Sequence, residues 1–386
     1  MSFRAFLLAA LLMAPAARAA EPFDIHVVLP LTGAAAFLGT SEQAALQRAE
    51  PVLGRDGGIG GRAVRFVFHD DQTSPQVAVQ LANQINAGKP AIVLGSATVA
   101  MCNAMAPLYR RGPVLFCLSP GIYPAPGSFT FSSSNSTRDL ASALLRYFAA
   151  RGLTRIAVIT STDASGQDAQ RQLREVVADP ANKAITVVNE TSFNPTDVSA
   201  SAQIQRIKGS DPQAVIAWST GSAIGTVFKA IQDAGISVPV ATTDGNMTYA
   251  TMRQFADVLP AELYIPSPEW PKTERDETPP PVRAAKELFF SAFEGSGTSP
   301  DAASSFAWDP ALLAVAALRA IGPDATPEQV RDHLSKLTGF AGVNGIYDFA
   351  KVPQRGLDDS NVVVTRWDRA ANQWRIVSHP RGQPLD

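Results

Sequence analysis

The chain has 386 residues, 33 Lys and Arg against 35 Asp and Glu, a formal charge of −2 and 46% hydrophobic residues. That hydrophobic share excludes a disordered chain, and the length favours two domains. The near-balanced charge leaves no footprint for nucleic acid or an anionic membrane.

In chain order, the first 20 residues read as a secretory leader. Arg4 supplies a positive start, Ala5 to Ala14 an apolar run of about ten residues, and Ala17-Arg18-Ala19 a small-x-small cleavage site. The run is too short to span a bilayer, and no cysteine follows it, so a free, unlipidated mature chain in the periplasm is expected. No later stretch of about 18 uncharged apolar residues reads as a membrane span. Beyond residue 20 the acids outnumber the bases by four.

Short apolar runs then alternate with helix-length amphipathic segments. Strand Ile25 to Leu29 precedes a helix near Thr40 to Val52, and strand Val64 to His69 precedes one near Pro75 to Asn86. Strand Ala91 to Leu94 precedes a helix near Val99 to Arg110, and strand Val114 to Leu118 follows. Near-continuous apolar strands separated by helices imply a parallel sheet covered on both faces. After the Ser/Asn-rich run Ser132 to Thr137 the pattern restarts. Helices Arg138 to Arg151, Gln167 to Val177, Ser199 to Lys208 and Ile224 to Ala234 alternate with strands Ile156 to Thr160, Ile185 to Asn189, Ala214 to Trp218 and Val238 to Ala241. The stretch Pro266 to Pro281 reads as a surface crossing. Helices near Val282 to Phe293, Ala303 to Ile321 and Pro327 to Leu337 follow, with late β-like runs at Gly345 to Phe349, Val362 to Trp367 and Trp374 to Val377. The fold class is therefore α/β, with two doubly wound parallel-sheet lobes in tandem and ligands expected outside the carboxyl ends of the strands.

Several residues carry candidate chemistry. Cys102 and Cys117 can form a disulfide in an oxidising compartment, or stand as two separately buried thiols. Asp70-Asp71 at a strand end can bind a cation or cap the turn into the next helix. Gly95-Ser96-Ala97-Thr98 opens a helix after a strand, so its N–H groups and hydroxyls suit a carboxylate, or form an ordinary cap. The four histidines, His26, His69, His333 and His379, are scattered without metal-site spacing. There is no Gly-x-Ser-x-Gly elbow, phosphate loop or dinucleotide fingerprint. An enzyme, a cofactor and a metal are not expected.

Leu31-Thr32-Gly33 with Gly39, Arg55 to Gly61, Asp70-Asp71 with Pro75 and Ala78-Val79, Leu94-Gly95 and Leu118-Ser119-Pro120-Gly121 occur in that order. With them the chain resembles the periplasmic solute-binding proteins of the branched-chain amino acid ABC importer family, with a leucine-binding-protein-like type I fold. The resemblance runs from about Phe23 to Trp367. It implies a monomer in which a first lobe (21–140 plus 268–349) and a second (141–267 plus 350–386), joined by hinge crossings, close over a small carboxylate and deliver it to an inner-membrane permease. A periplasmic sensor of the same fold is the alternative.

The family's carboxylate-binding serine falls at Val99 here, so Ser96, Ala97, Thr98, Gly121 and Tyr123 are the substitutes that the resemblance implies. Leu38, Ser165 and Thr220 stand where amino-acid binders often carry cleft tyrosines, which leaves room for a larger ligand. Asp244 stands at the position that pairs with a ligand ammonium; it can instead cap its own turn or bond a phenolic hydroxyl. The run Asp244 to Tyr249 is similar to a branch that binds aromatic carboxylates such as benzoate derivatives. Phe37, Tyr123, Tyr249, Phe306 and Trp308 are then candidate ring walls, or core packing.

Overall fold

The computed structural model describes residues 21–55, 57–272 and 278–385, so the leader lies outside the described residues. The first sheet has five strands, β1 (Phe23–Leu29), β2 (Val64–Asp70), β3 (Ile92–Gly95), β4 (Val114–Cys117) and β5 (Thr130–Ser132). They run parallel in the order β2-β1-β3-β4-β5. Three helices connect them: α1 (Ala36–Arg55), α2 (Pro75–Ala87) and α3 (Val99–Met105), the last running into a 3₁₀ turn.

Alternation along each strand divides the core. Val27 and Leu29 pack on one face with Leu46 of α1, whereas Val28, Val93 and Leu115 pack on the other with Ala82, Met101 and Met105 of α2 and α3. A sheet buried on both faces needs apolar residues at successive positions, which is why β3 and β4 read as unbroken apolar runs.

The second sheet is built from α4 (Thr137–Ala150), β6 (Arg155–Ser161), α5 (Ala164–Ala178), β7 (Thr186–Phe193), α6 (Ser201–Gly209), β8 (Ala214–Trp218), α7 (Ile224–Asp233), β9 (Val240–Ala241), α8 (Tyr249–Gln254) and β10 (Leu263–Pro268). The chain then returns to the first sheet with α9 (Pro280–Ser291), α10 (Ala302–Ile321), α11 (Pro327–Lys336) and the hairpin β11 (Thr338–Ala341) and β12 (Ile346–Asp348). Finally β13 (Val362–Asp368) and β14 (Gln373–Ile376) complete a seven-stranded sheet of order β14-β13-β10-β9-β8-β6-β7. Three crossings thus join the sheets.

Two details differ from the sequence reading. Pro266 and Pro268 belong to a buried strand, β10, parallel to β9 and antiparallel to β13, so the surface crossing begins later than expected. Proline obscured this strand because it cannot donate to a ladder. The second sheet is also mixed rather than wholly parallel, since β13 and β14 join antiparallel.

Helix α10 is apolar and long enough to cross a bilayer, but it is mostly buried in the first lobe. Its Trp308 packs edge-on against Phe289 of α9 at 5.2 Å between ring centroids. Within it, Asp309 accepts hydrogen bonds from the Val343 and Asn344 N–H groups and the Tyr347 hydroxyl, and burial pushes its carboxyl up to about 6.

Candidate functional site

Cys102, midway along α3, and Cys117, at the end of β4, are bridged, with Cα atoms 6.0 Å apart. The bridge ties helix α3, which follows β3, to the end of β4, next to loops that reach the lobe interface. Gly95 ends β3 with φ +103°, and a Cβ there would lie 1.9 Å from the Val28 carbonyl oxygen. Only glycine lets this strand end lie so close to β1.

Asp70 and Asp71 cap the preceding turn. Asp70 accepts from the N–H groups of Leu31, Thr32 and Gln72 and from the Thr32 hydroxyl. Asp71 accepts from the Thr73 N–H and, at 2.6 Å, from the Ser96 hydroxyl. Ser96 is therefore committed to the turn, a correction to its expected place among the ligand donors; it is fully buried and does not face the cleft.

The loops after β3 and β4 meet those after β6, β8 and β9 around a cavity of about 30 Å³ between the sheets. Leu38, Ala97, Thr98, Val99, Leu118, Ser119, Pro120, Gly121 and Phe306 line it from the first lobe. Thr137, Ser165, Trp218, Thr220, Thr243 and Gly245 line it from the second. Of the candidates read from sequence, Leu38, Ala97, Thr98, Gly121, Ser165, Thr220 and Phe306 come together here. Ser165 and Thr220 share a hydrogen bond of 3.1 Å.

The lobes touch at two lips. A Cβ on Gly121 would stand 2.8 Å from Asp168 Oδ2, and one on Gly221 would stand 3.1 Å from the Ala34 carbonyl oxygen. Hence the cavity is closed, with room for one or two waters.

Every lining side chain is uncharged, and several polar atoms around the cavity lack partners. Thr98 Oγ1, Ser219 Oγ and Asp244 Oδ2 are buried without a hydrogen bond. Asp244 lies behind Thr243 and Gly245 rather than on the wall, and its Oδ1 accepts from the Thr243 hydroxyl at 3.0 Å. Burial pushes its carboxyl up to about 7, against the pull of that hydroxyl and of the Gly245 N–H. Burial thus favours its neutral form, in which it is an O–H donor.

Three further candidates stand elsewhere. Trp308 is a core residue of α10, 1% exposed, because its indole fills the space beside Phe289. Tyr123 is 46% exposed on the outer side of the first lip, its hydroxyl 3.5 Å from Asp168 Oδ2. Phe37 turns into a neighbouring groove with Tyr249. Helical geometry explains the split between Phe37 and Leu38: successive residues of a helix project about 100° apart.

The sequence reading passed over Thr137, Ser119, Trp218 and Thr243. Trp218 and Thr243 end or follow the central strands β8 and β9, so the rule that ligands collect at strand carboxyl ends would have found them. The histidines also needed correction: diagonal neighbours on β1 and β2 bring His26 Nδ1 and His69 Nε2 to 3.0 Å. Burial holds both imidazoles below the usual range. They lie apart from the cavity.

Beneath the loop from Pro120 to Ile122 lies Arg355, 6% exposed, on the crossing between β12 and β13. It donates to the Ser132 hydroxyl at 3.0 Å, to the Pro120 carbonyl at 3.3 Å, and to the carbonyls of Ser134 and Ile122. Burial lowers the pKa of its guanidinium, which the nearby Tyr123, Asp139 and Asp168 offset only in part.

Two α/β lobes, three crossings and a closed cavity at the strand carboxyl ends define a two-lobed small-molecule binding protein. The sequence profile of a periplasmic binding protein family matches residues 22–372, and the chain belongs to that family of extracytoplasmic solute-binding proteins.

No curated protein matches the chain. Among solved structures, an extracellular ligand-binding receptor from Rhodopseudomonas palustris superposes with a TM-score of 0.80 at 17% identity, covering 93% of this chain and 99% of that one. The branched-chain amino acid transporter substrate-binding protein LivJ from Streptococcus pneumoniae, solved with isoleucine, gives 0.77 at 18% identity, covering 92% and 99%. An ABC transporter solute-binding protein from R. palustris, solved with benzoate, gives 0.77 at 18% identity, covering 95% and 98%.

Proposed function

We propose that this chain is the solute-binding component of an ABC importer, exported by the leader at residues 1–20 without a lipid anchor and acting as a monomer without enzymatic activity. It captures a small organic carboxylate, of the benzoate or hydrophobic amino acid class, and presents the closed form to an inner-membrane permease. The observation that carries this reading is the cavity itself: hydroxyls from both lobes converge on it, no charged side chain lines it, and Thr98 Oγ1 is left without a partner. Hydroxyl donors suit a carboxylate, and the apolar surfaces of Leu38, Phe306 and Trp218 suit a hydrocarbon body.

Because the closed cavity is small, the ligand enters when the lobes part, and binding energy gained from both lobes draws them together. Asp244, fully buried beside Thr243, reads the end of the ligand opposite its carboxylate.

A thermal-shift series with aliphatic amino acids, aromatic amino acids and benzoate derivatives tests this, since a ligand bound only by the folded state raises the melting temperature. A rise of several degrees with one carboxylate class is expected, abolished by Thr98→Val combined with Thr220→Val. Silence across all the carboxylates, with a rise for sugars or bases instead, would sink the reading.

A further inference from the structure

A second space opens between the lobes, outside the closed cavity. It is a groove of about 360 Å³ between the first turns of α1 on one lobe and α8 on the other. An engineered apolar cavity of about 150 Å³ accepts benzene, so an aromatic ring fits this groove without any parting of the lobes.

Three rings wall the groove: Phe37 from α1, Tyr249 from α8, and Phe293 beyond the end of α9. Tyr249 is held in place by an edge-on contact with Trp367, 6.1 Å between centroids. Arg253, one helical turn after Tyr249, is exposed on the same groove and forms no ion pair among the described residues. A second cation stands behind the ring wall, where the Arg48 guanidinium stacks over Phe293 at 5.5 Å with its Nε buried and unpartnered.

The acid in the groove, Asp301, is already engaged. It is 4% exposed, caps α10 through the Ser304 N–H at 3.0 Å, and accepts from the Ser41 hydroxyl at 2.6 Å. Burial pushes its carboxyl up, and its hydrogen bonds to Ser41 and Ser304 tie it to the start of α10.

We infer that this groove is a second ligand site that takes an aromatic carboxylate, its ring between Phe37, Tyr249 and Phe293 and its carboxylate on Arg253. An exposed guanidinium beside clustered ring faces offers the two contacts such a molecule presents, a charge-assisted pairing at one end and stacking along its body. The walls come from both lobes, so an occupant bridges them and favours the closed arrangement. The site does not depend on which carboxylate fills the inner cavity.

Equilibrium dialysis with radiolabelled benzoate tests it on the wild-type protein, on Arg253→Gln and on Thr98→Val with Thr220→Val, with circular dichroism confirming the fold of each. Arg253 is exposed, so its variants are expected to fold. The expected result is a benzoate-binding component that weakens at least tenfold in Arg253→Gln, recovers in part in Arg253→Lys, and persists in the double hydroxyl variant. Cyclohexylacetate, which keeps the charge and lacks the flat ring, should bind this component at least fivefold more weakly than benzoate. Benzoate binding that ignores Arg253, binding lost only in the hydroxyl variant, or no benzoate binding at all would overturn the second site. If isoleucine still bound the cleft in that last case, the importer reading would survive. An Arg253-dependent component without any cleft ligand would do the reverse.

Discussion

The two halves of the cleft are built on different principles. In the first lobe the strand ends are pinned: a disulfide joins α3 to β4, Ser96 is tied to Asp71, and Arg355 grips the carbonyls under Gly121. In the second lobe the corresponding loops carry a hydroxyl pair, Ser165 and Thr220, and two buried polar atoms without partners, Ser219 Oγ and Asp244 Oδ2. The pinned half supplies shape together with the unpartnered Thr98 Oγ1, and the second half, with its hydroxyl pair and unspent polar atoms, discriminates among ligands.

The comparison breaks most sharply at Arg355. Arg355→Met leaves the carbonyls of Pro120, Ile122 and Ser134 unpaired inside the protein, and should cost about 4 kcal/mol of stability in urea titrations. Arg355→Lys should recover part of that loss. A melting curve unchanged by Arg355→Met would show that the loop needs no clamp.

Opening the disulfide should come next. The bridge spans a sequence separation of 15, for which the chain-entropy model gives about 3 kcal/mol. Cys102→Ala with Cys117→Ala should therefore lower stability by roughly that amount, and a reducing agent should destabilise the wild type but not the variant.

The third prediction sharpens the contrast by acting on the second lobe alone. Asp244 holds its proton better when folded, up to about 7 against an ordinary 3.8, so it supports folding below pH 4 and that support is lost as pH rises to about 7. Between pH 5 and 7 the loss is about 1.4 kcal/mol per pH unit, or between 2 and 3 kcal/mol in all. Asp244→Asn cannot ionise, so its stability should stay level over that interval while the wild type declines. Parallel pH profiles for the two proteins would refute a buried, ionisable Asp244.

Much of this architecture was legible in the sequence. Strand Ala214 to Trp218 matches β8, and Pro75 and Pro327 mark helix starts where the structure has them, whereas the helix expected from Gln167 begins at Ala164, capped by Asp163. The exceptions have physical causes. Strand β10 carries two prolines, and β5 is three residues long, too short to show a period. The site was half legible, because helix and strand ends locate a residue without aiming its side chain. Leu38 and Phe37 are adjacent, yet only Leu38 faces the cavity; Ser96 and Thr98 share a turn, yet only Thr98 has its hydroxyl free. The meeting of His26 and His69 depends on the pairing of β1 with β2, which no local pattern records.

The order of segments around the crossings has a consequence for how the protein is made. The first sheet is covered by α10, which comes after the whole second α/β unit, and β10 finds its antiparallel neighbour only in β13, beyond α10 and α11. A chain synthesised from its N-terminus therefore completes neither lobe until nearly all of it is available. On the export proposed above, this arrangement would keep the unfinished chain loose during its passage and reserve cooperative folding for the far side.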